Sequence, residues 1–204
     1  MQITDIYKTL AAPSSEVIFK DRGSKFIGYA YPIDSEEDVS PIINELKEKH
    51  HKARHWCYAW RLGVGEKASF RANDDGEPNN SAGQPIYGQI LSFELTNVLI
   101  VVVRYFGGTK LGVGGLINAY KTAASWALEA SEVEVKTIDA HFELQFEYVH
   151  MNKVMRLVKD LRIQIVHQLM EMDCKFEISI RKKDAVKVKK AFEDLRCVII
   201  KQIV

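Results

Sequence analysis

The apolar residues in the last third of the chain follow a regular pattern, which limits the fold more than any other feature of the sequence. Between Lys136 and Val204, some stretches have an apolar residue at every second position, as in a half-buried strand. Other stretches between them have apolar residues at every third or fourth position, as in an amphipathic helix. In chain order the inward positions are Phe142, Leu144, Phe146 and Tyr148 (strand); Met151, Val154, Val158 and Leu161 (helix); Ile163, Ile165, His167 and Leu169 (strand); Phe176, Ile178 and Ile180 (strand); Ala185, Val188, Phe192 and Leu195 (helix); and Val198–Val204 (strand). The predicted order of elements is therefore β-α-β-β-α-β.

This order is that of a ferredoxin-like domain, in which antiparallel strands carry two helices on one face. We therefore assign residues 136–204 to a ferredoxin-like C-terminal domain. His167 falls on the inward side of its predicted strand, so the pattern predicts a histidine buried in the core rather than a ligand.

Residues 1–135 have a less regular pattern that also mixes strands and helices. Val98–Arg104 is rich in β-branched residues, which predicts a strand buried on both faces. The other predicted elements are strands within Ile6–Tyr31, a helix that Ser35 caps, strands over Arg54–Leu62 and Ala68–Asn73, a polar loop over Asp74–Gly83, a helix over Gln84–Phe93, a glycine-rich loop over Phe106–Gly115 and a helix over Leu116–Ala130. Glu132–Thr137 is the predicted linker. The chain is thus an α+β protein with domains at 1–135 and 136–204.

The composition is typical of a globular cytoplasmic protein. The longest purely apolar run, Val98–Val103, is far shorter than the roughly 20 residues that cross a bilayer. The first residues lack the basic-then-apolar pattern of a secretion signal. Cys57, Cys174 and Cys197 form no C-x-x-C pair, and an odd number of cysteines cannot form a closed set of disulfides. We expect a cytoplasmic protein without a membrane partner.

Charge is distributed unevenly along the chain. From Lys136 to the end, 14 Lys and Arg oppose 10 Asp and Glu, a net charge of +4, whereas the first 135 residues carry 14 and 17, a net charge of −3. Because Lys and Arg release counterions when they bind phosphates, the basic second half weakly indicates a polyanionic partner.

The segment Val101–Leu116 is the sharpest candidate for a binding site. A predicted buried strand leads into a loop with five glycines, and this loop opens a helix. Glycines let backbone N–H groups converge on an anion, and a helix N-terminus adds about half a positive charge. The predicted phosphate- or nucleic-acid-binding residues are Arg104, Gly107, Gly108, Lys110, Gly112, Gly114 and Gly115. The alternative is that the glycines only allow a tight turn, with the small residues Ala119, Ala123 and Ala127 packing close to the sheet.

Two standard nucleotide-binding motifs do not fit this segment. A P-loop needs Ser or Thr after its lysine, but Leu111 follows Lys110. A dinucleotide-binding G-x-G-x-x-G motif counted from Gly112 needs a glycine where Ile117 stands. P-loop ATP hydrolysis and NAD binding are therefore disfavoured, and we expect no cofactor.

Asp74, Asp75 and Glu77 place three carboxylates within four residues. Such a cluster can hold a hard cation such as Mg²⁺, take part in acid–base chemistry or contact a partner. It can equally form turns, because Asp-Gly and Pro-Asn sequences bond their own backbone. We favour the turn interpretation and expect no metal ion.

The segment His50–Trp60 combines histidines, a cysteine and aromatic residues. Zinc binding by His51, His55 and Cys57 is disfavoured, because the segment crosses from a helix end into a strand. His55 remains a candidate contact for a partner or a cation. Three aromatic residues alternate along the predicted strand: Trp56, Tyr58 and Trp60. Exposed aromatic side chains can stack on bases, but we favour a place in the core.

In this order, these segments resemble the YigZ/IMPACT family. The residues that carry the resemblance are Lys25-Phe26-Ile27, Ala53-Arg54-His55-Trp56-Cys57-Tyr58-Ala59, Asp74-Asp75-Gly76-Glu77-Pro78, Ala82-Gly83, Arg104-Tyr105-Phe106-Gly107-Gly108, Lys110-Leu111-Gly112 and Gly114-Gly115-Leu116. The resemblance spans essentially the whole chain, and the second half resembles the fifth domain of elongation factor G. It implies that residues 1–135 form a βαβ-rich domain like that of a ribosomal protein and of the GHMP-type small-molecule kinases.

The resemblance also implies a role in translation. Eukaryotic IMPACT members restrain a starvation-responsive kinase that phosphorylates an initiation factor, and nucleic-acid binding is the usual suggestion for bacterial members. Two positions depart from the family pattern. Asn79-Asn80 stand where members commonly have a small residue and glycine, and Gln84 stands where many have arginine. Because this positive charge is absent, the sequence gives less support to phosphate binding by the DDGEP loop (Asp74–Pro78).

We therefore expect a non-catalytic RNA- or ribosome-associated protein that acts in translation or its regulation. The polyanion would lie on the segment Arg104–Gly115 and on the basic face of the second domain. One alternative is an enzyme that binds a phosphorylated small molecule in this loop, with Asp74, Asp75 or Glu77 holding Mg²⁺. The other is a protein-interaction module without nucleic acid.

Overall fold

The computed structural model describes residues 5–203, except for the side chain of Lys67. These residues divide into two compact units: Tyr7–Val135, here called the N-terminal unit, and the remaining described residues, here called the C-terminal unit. The strands are β1 (Ile6–Leu10), β2 (Val17–Asp21), β3 (Ser24–Pro32), β4 (His55–Leu62), β5 (Ser69–Asn73), β6 (Val98–Tyr105), β7 (Val133–Thr137), β8 (Asp139–Glu147), β9 (Gln164–Leu169), β10 (Asp173–Arg181) and β11 (Ile199–Ile203). The helices are α1 (Val39–Lys49), α2 (Gly83–Ser92), α3 (Gly112–Glu129), α4 (Met151–Asp160) and α5 (Ala185–Glu193). The chain is therefore a mixed α/β protein.

The N-terminal unit is built on a five-stranded antiparallel sheet with the order β2-β3-β6-β4-β5. Its central strand β6 is buried on both faces, and Val98–Val103 have no exposed surface. One face of the sheet packs against α2 and α3, and the other packs against α1. The prediction of a doubly buried strand is confirmed, because helices cover both sides of the sheet.

Small residues let α3 lie close to the sheet. Ala119, Ala123 and Ala127 are fully buried on its inner face. Across from them stands Gly28 of β3, where a Cβ atom would lie 2.5 Å from the carbonyl oxygen of Ala123. A side chain at this position would push the helix away, so the small face of α3 does serve close packing, as the alternative interpretation held.

The aromatic residues of β4 belong to the core on the α1 side. Trp60 is buried, and Trp56 and Tyr58 pack partly buried against the same cluster. The Trp56 indole N–H donates a hydrogen bond to the Leu46 carbonyl oxygen at 3.2 Å. The prediction that these rings are core rather than base-stacking side chains is confirmed.

The C-terminal unit contains the elements β8-α4-β9-β10-α5-β11, which is the predicted β-α-β-β-α-β order. Its strands form an antiparallel sheet with the order β11-β8-β10-β9. The inward residues of β8 and β10, such as Phe142 and Phe176, pack with Val154 of α4 and Phe192 of α5 in one cluster. Both helices therefore cover the same face of this sheet.

Three details differ from the predictions. His167 is exposed, because a bulge opposite Glu177 and Ile178 shifts the register of β9 and turns the histidine outward. The predicted linker forms strand β7, which pairs with β1, and Glu132 accepts a backbone hydrogen bond from Ala11 at 2.9 Å. Helix α3 begins at Gly112, so three of the five glycines assigned to the loop lie in its first turn.

Within residues 5–203, no helix has the length and apolar character needed to cross a lipid bilayer.

Candidate functional site

Asp74 closes the loop between β5 and α2. Its Oδ1 atom accepts hydrogen bonds from the backbone N–H groups of Ala82 and Gly83 at 2.9 and 2.8 Å, and its Oδ2 atom accepts one from Asn80 at 2.8 Å. These donors lie at the N-terminus of α2, where backbone N–H groups have no partner within the helix. Asp74 thus acts as a cap, as the turn interpretation predicted.

Asp75 fastens the same loop to the start of β4. Its Oδ2 atom accepts a hydrogen bond from the backbone N–H of Trp56 at 2.6 Å, and its carbonyl oxygen lies 2.8 Å from Nδ1 of His55. Asp75 has a φ of +41°, a left-handed conformation that Asp tolerates better than most residues. His55 and Asp75 therefore come together, but through a backbone oxygen and not as two metal ligands. Among the described residues, no group of three or more His, Cys, Asp and Glu side chains could hold a metal ion.

Glu77 points inward, unlike the two aspartates. Its Oε1 atom lies 2.5 Å from a terminal guanidinium nitrogen of Arg104 and accepts a hydrogen bond from the Tyr120 hydroxyl at 2.8 Å. The side chains of Arg104 and Glu77 are only 6% and 4% exposed. Cys57 completes the cluster, with its Sγ atom 3.3 Å from the Tyr120 hydroxyl oxygen.

This buried cluster favours neutral forms of its thiol and its phenol. Burial raises the pKa of the Cys57 thiol well above its ordinary range, and the nearby carboxylates add to the effect. Burial also raises the pKa of the Tyr120 hydroxyl. A thiol that stays protonated is a poor nucleophile, so Cys57 is a structural residue of this cluster.

Arg104, one of the predicted phosphate-binding residues, does not present an unpaired positive charge beside the glycine-rich loop. Glu77 neutralises it, because the two side chains form a buried ion pair. The Arg104 guanidinium lies near two aromatic rings, 5.4 Å from the ring centre of Phe26 and 5.5 Å from that of Phe106. Its Nε atom is buried and has no hydrogen-bond partner within the described part of the chain.

Gly107, Gly108 and Gly112 are explained by the backbone alone. A Cβ atom on Gly107 would lie 1.9 Å from the carbonyl carbon of Gly23, and the Gly107 N–H already donates to the Ser24 hydroxyl at 3.1 Å. Gly108 and Gly112 have φ angles of +90° and +72°, which favour glycine. The structure thus gives these three glycines a turn-forming role, which the alternative interpretation anticipated.

Gly114 and Gly115 lie in the first turn of α3. A Cβ atom on Gly115 would lie 3.0 Å from Cβ of Leu111, whereas one on Gly114 would meet nothing within 4 Å. Gly114 is exposed, and neither strain nor a clash requires glycine there. Lys110 is exposed in the short loop just before this turn.

Two cavities meet at Arg104 and Phe106. The first, of about 410 Å³, is lined by Lys52, Arg54, His55, Arg104, Tyr105 and Phe106. The second, of about 400 Å³, is lined by Glu77, Pro78, Arg104, Phe106, Lys110, Leu111, Gly112, Val113 and Leu116. We call them the basic cavity and the apolar cavity.

Lys52 and Arg54 were not predicted as site residues, and Phe106 was predicted only as part of the segment Arg104–Gly115. Lys52 and Arg54 lie just before β4, and β4 pairs with β6 so that His55 stands opposite Arg104. Two cations that flank Ala53 where the predicted strand Arg54–Leu62 begins are the signal that could have located the basic cavity. Only the strand pairing brings them beside Phe106, because the segments are about fifty residues apart in the chain.

The buried Glu77–Arg104 pair, the capped DDGEP loop and the glycine turn that opens α3 form one structural module of the N-terminal unit. Residues 22–128 match the sequence model of the Impact N-terminal domain, which covers just over half of the chain. The chain belongs to the IMPACT family, and the predicted membership is confirmed.

Individual relatives agree with this assignment. The chain is 32% identical to an IMPACT family member of Haemophilus influenzae over 84% of both chains. It is 33% identical to the IMPACT family member YigZ of Escherichia coli over 72% of both. A crystal structure described as that of a hypothetical protein matches 99% of both chains with a TM-score of 0.74 and 26% identity.

Proposed function

We propose that this protein is a non-catalytic RNA-binding protein that acts in translation or its regulation. The observation that carries the proposal is the basic cavity, whose lining combines Lys52, Arg54 and His55 with the rings of Tyr105 and Phe106. Cations that neutralise phosphates, next to aromatic rings that stack on bases, are the usual elements of nucleic-acid recognition.

The cations at this site are available to a ligand. Lys52, Arg54 and Lys110 are exposed, and within the described residues their side chains form no ion pair or hydrogen bond. The Arg104 charge is balanced by Glu77. The attraction for a polyanion therefore comes from these three residues and from the N-terminus of α3.

The C-terminal unit, taken by itself, also favours a polyanionic partner. Residues 136–204 carry a net charge of +4, which favours a polyanionic partner. Their β-α-β-β-α-β order supports a ferredoxin-like domain, and the resemblance to the fifth domain of elongation factor G is the reason to place the protein at the ribosome. The translational role rests on this resemblance and on membership of the IMPACT family.

An enzyme that uses Mg²⁺ has less support. Asp74 and Asp75 already accept hydrogen bonds from the backbone, and Glu77 is paired with Arg104. A metal ion would compete with these contacts for the same carboxylates. The alternative of a protein-interaction module differs from the proposal in one measurable way, because its partner would stay bound after nuclease treatment.

The test is fluorescence anisotropy of a labelled RNA titrated with the protein at a series of salt concentrations. Lys52→Ala combined with Arg54→Ala should weaken binding and make the dependence of log K on log salt shallower by about 1.4 for single-stranded RNA, because each phosphate contact contributes about 0.7. A matched control is Lys20→Ala combined with Lys121→Ala, two exposed lysines that line neither cavity. Equal effects of the two double variants, or no RNA binding by the wild type, would refute the proposal.

A further inference from the structure

The basic cavity and the apolar cavity share one wall and differ in chemistry. Arg104 and Phe106 line both. On one side stand Lys52 and Arg54, and on the other the apolar side chains of Leu111, Val113 and Leu116 close the space. A simple anion needs only the basic cavity. The apolar cavity beside it therefore indicates a ligand that has an apolar part next to its charged part.

Phe106 is exposed but lies next to a fixed cation. Its ring is 54% exposed, yet the Arg104 guanidinium lies 5.5 Å from its centre. That guanidinium is fixed by the ion pair with Glu77 and has the Phe26 ring at 5.4 Å. A cation beside an aromatic ring is attracted to it, so Phe106 offers the solvent a preorganised aromatic surface.

The apolar cavity has the size of a small-molecule site. Its volume of about 400 Å³ lies within the range of about 300–1,000 Å³ that such sites occupy. Lys110 stands at this cavity, so a charge is present on this side of Phe106 as well.

We propose that the two cavities together bind an unpaired nucleotide of single-stranded RNA. This inference rests on the proposed function and specifies its ligand. The base enters the apolar cavity and packs against Phe106, and the phosphates on its two sides lie near Lys52 and Arg54 and near Lys110. A base in a duplex is stacked and paired, so it presents only its edge and cannot enter such a cavity.

The first test compares three ligands for the wild-type protein in the same anisotropy assay at constant salt. The first ligand is a single-stranded RNA of about 12 nucleotides, a length within the range that one single-strand-binding domain covers. The second is the same RNA annealed to its complement, and the third is inorganic polyphosphate as an unlabelled competitor. We expect the single strand to bind at least about tenfold more tightly than the duplex and to resist competition by polyphosphate, because base stacking adds to the phosphate contacts.

The second test compares single-strand binding by variants of the two cavities with that of a control variant. Phe106→Ala should weaken single-strand binding about 5- to 150-fold, which corresponds to the loss of one stacked base, and Phe106→Trp should retain binding. Phe70→Ala is the control, because Phe70 is 53% exposed, stacks on Tyr87 and lines neither cavity. Val113→Asp gives a second variant that places a negative charge at the apolar cavity and should also weaken binding.

The outcomes separate this inference from the proposed function. Duplex binding as tight as single-strand binding, with both dependent on Lys52 and Arg54, would overturn the nucleotide site and leave RNA binding intact. Unchanged single-strand binding by Phe106→Ala and Val113→Asp, or full competition by polyphosphate, would overturn it in the same way. Absence of binding to every RNA would refute both proposals.

Discussion

Replacement of Glu77 by glutamine tests the buried cluster of the N-terminal unit. Glu77→Gln keeps the shape of the side chain and an oxygen acceptor for Tyr120, but it leaves the Arg104 guanidinium buried without a counter-charge. Removing one partner of a buried ion pair destabilises a protein by about 3–5 kcal/mol. We expect about 3 kcal/mol, the lower end of that range, because the amide oxygen still accepts a hydrogen bond.

The assay is urea unfolding followed by tryptophan fluorescence. All three tryptophans, Trp56, Trp60 and Trp126, lie in the N-terminal unit, so the signal reports its unfolding without a contribution from the C-terminal unit. With a urea dependence of about 2 kcal/mol per molar, a loss of about 3 kcal/mol lowers the midpoint by about 1.5 M.

A surface ion pair supplies the control. Lys8 and Glu94 lie 2.7 Å apart, but their side chains are 46% and 76% exposed. Glu94→Gln should therefore change stability by less than about 1 kcal/mol. Adding Arg104→Met to Glu77→Gln removes the uncompensated charge and should restore part of the lost stability. A shift of the urea midpoint below about 0.5 M for Glu77→Gln would refute the stabilising role of the buried ion pair. A double variant whose loss of stability equals the sum of the losses of the two single variants would refute it as well.

Three further predictions concern the loop residues and the buried thiol. Lys110→Ala should change stability by less than about 0.5 kcal/mol and make the salt dependence of single-stranded RNA binding shallower by about 0.7; normal RNA binding by this variant would contradict its place in the site. Mg²⁺ should leave the melting temperature unchanged, because Asp74 and Asp75 already accept backbone hydrogen bonds; a rise that Asp75→Ala abolishes would contradict this. The free energy of unfolding should fall by about 1.4 kcal/mol from pH 7 to pH 9.5 through Cys57. The unfolded thiol ionises above about pH 8.5, whereas burial raises the pKa of the folded thiol and keeps it protonated. Cys57→Ala should remove this part of the pH dependence, and an unchanged pH profile would contradict it.

Local patterns were sufficient to predict the elements that hold the sheets together. The β-branched run Val98–Val103 predicted a doubly buried strand, and β6 is buried on both faces. The alternating and helical periods after Lys136 predicted β-α-β-β-α-β, which is the order observed. These predictions succeeded because burial of one face leaves a period of apolar residues in the sequence, and burial of both faces leaves a continuous apolar run.

Pairing between distant segments explains where the predictions failed. His167 lies on the inward period of its strand, but the bulge opposite β10 turns it outward. Glu132–Thr137 looked like a linker because it is short and has no strong period, whereas Val133–Thr137 forms β7 through its pairing with β1. Register and strand partners depend on the other strand, which the local sequence does not contain.

The sequence by itself determined the family, the element order after Asp139 and the turn role of the DDGEP aspartates. The DDGEP loop was assigned a turn role from Asp74 and Asp75, and their hydrogen bonds agree with it. Only the tertiary structure decided which charges remain available. Arg104 and Glu77 stand 27 residues apart in the chain, and burial brings them together because an isolated charge cannot leave water without a partner. The same folding leaves Lys52 and Lys110 in solvent on either side of Phe106, so the exposed charge lies there and not on Arg104.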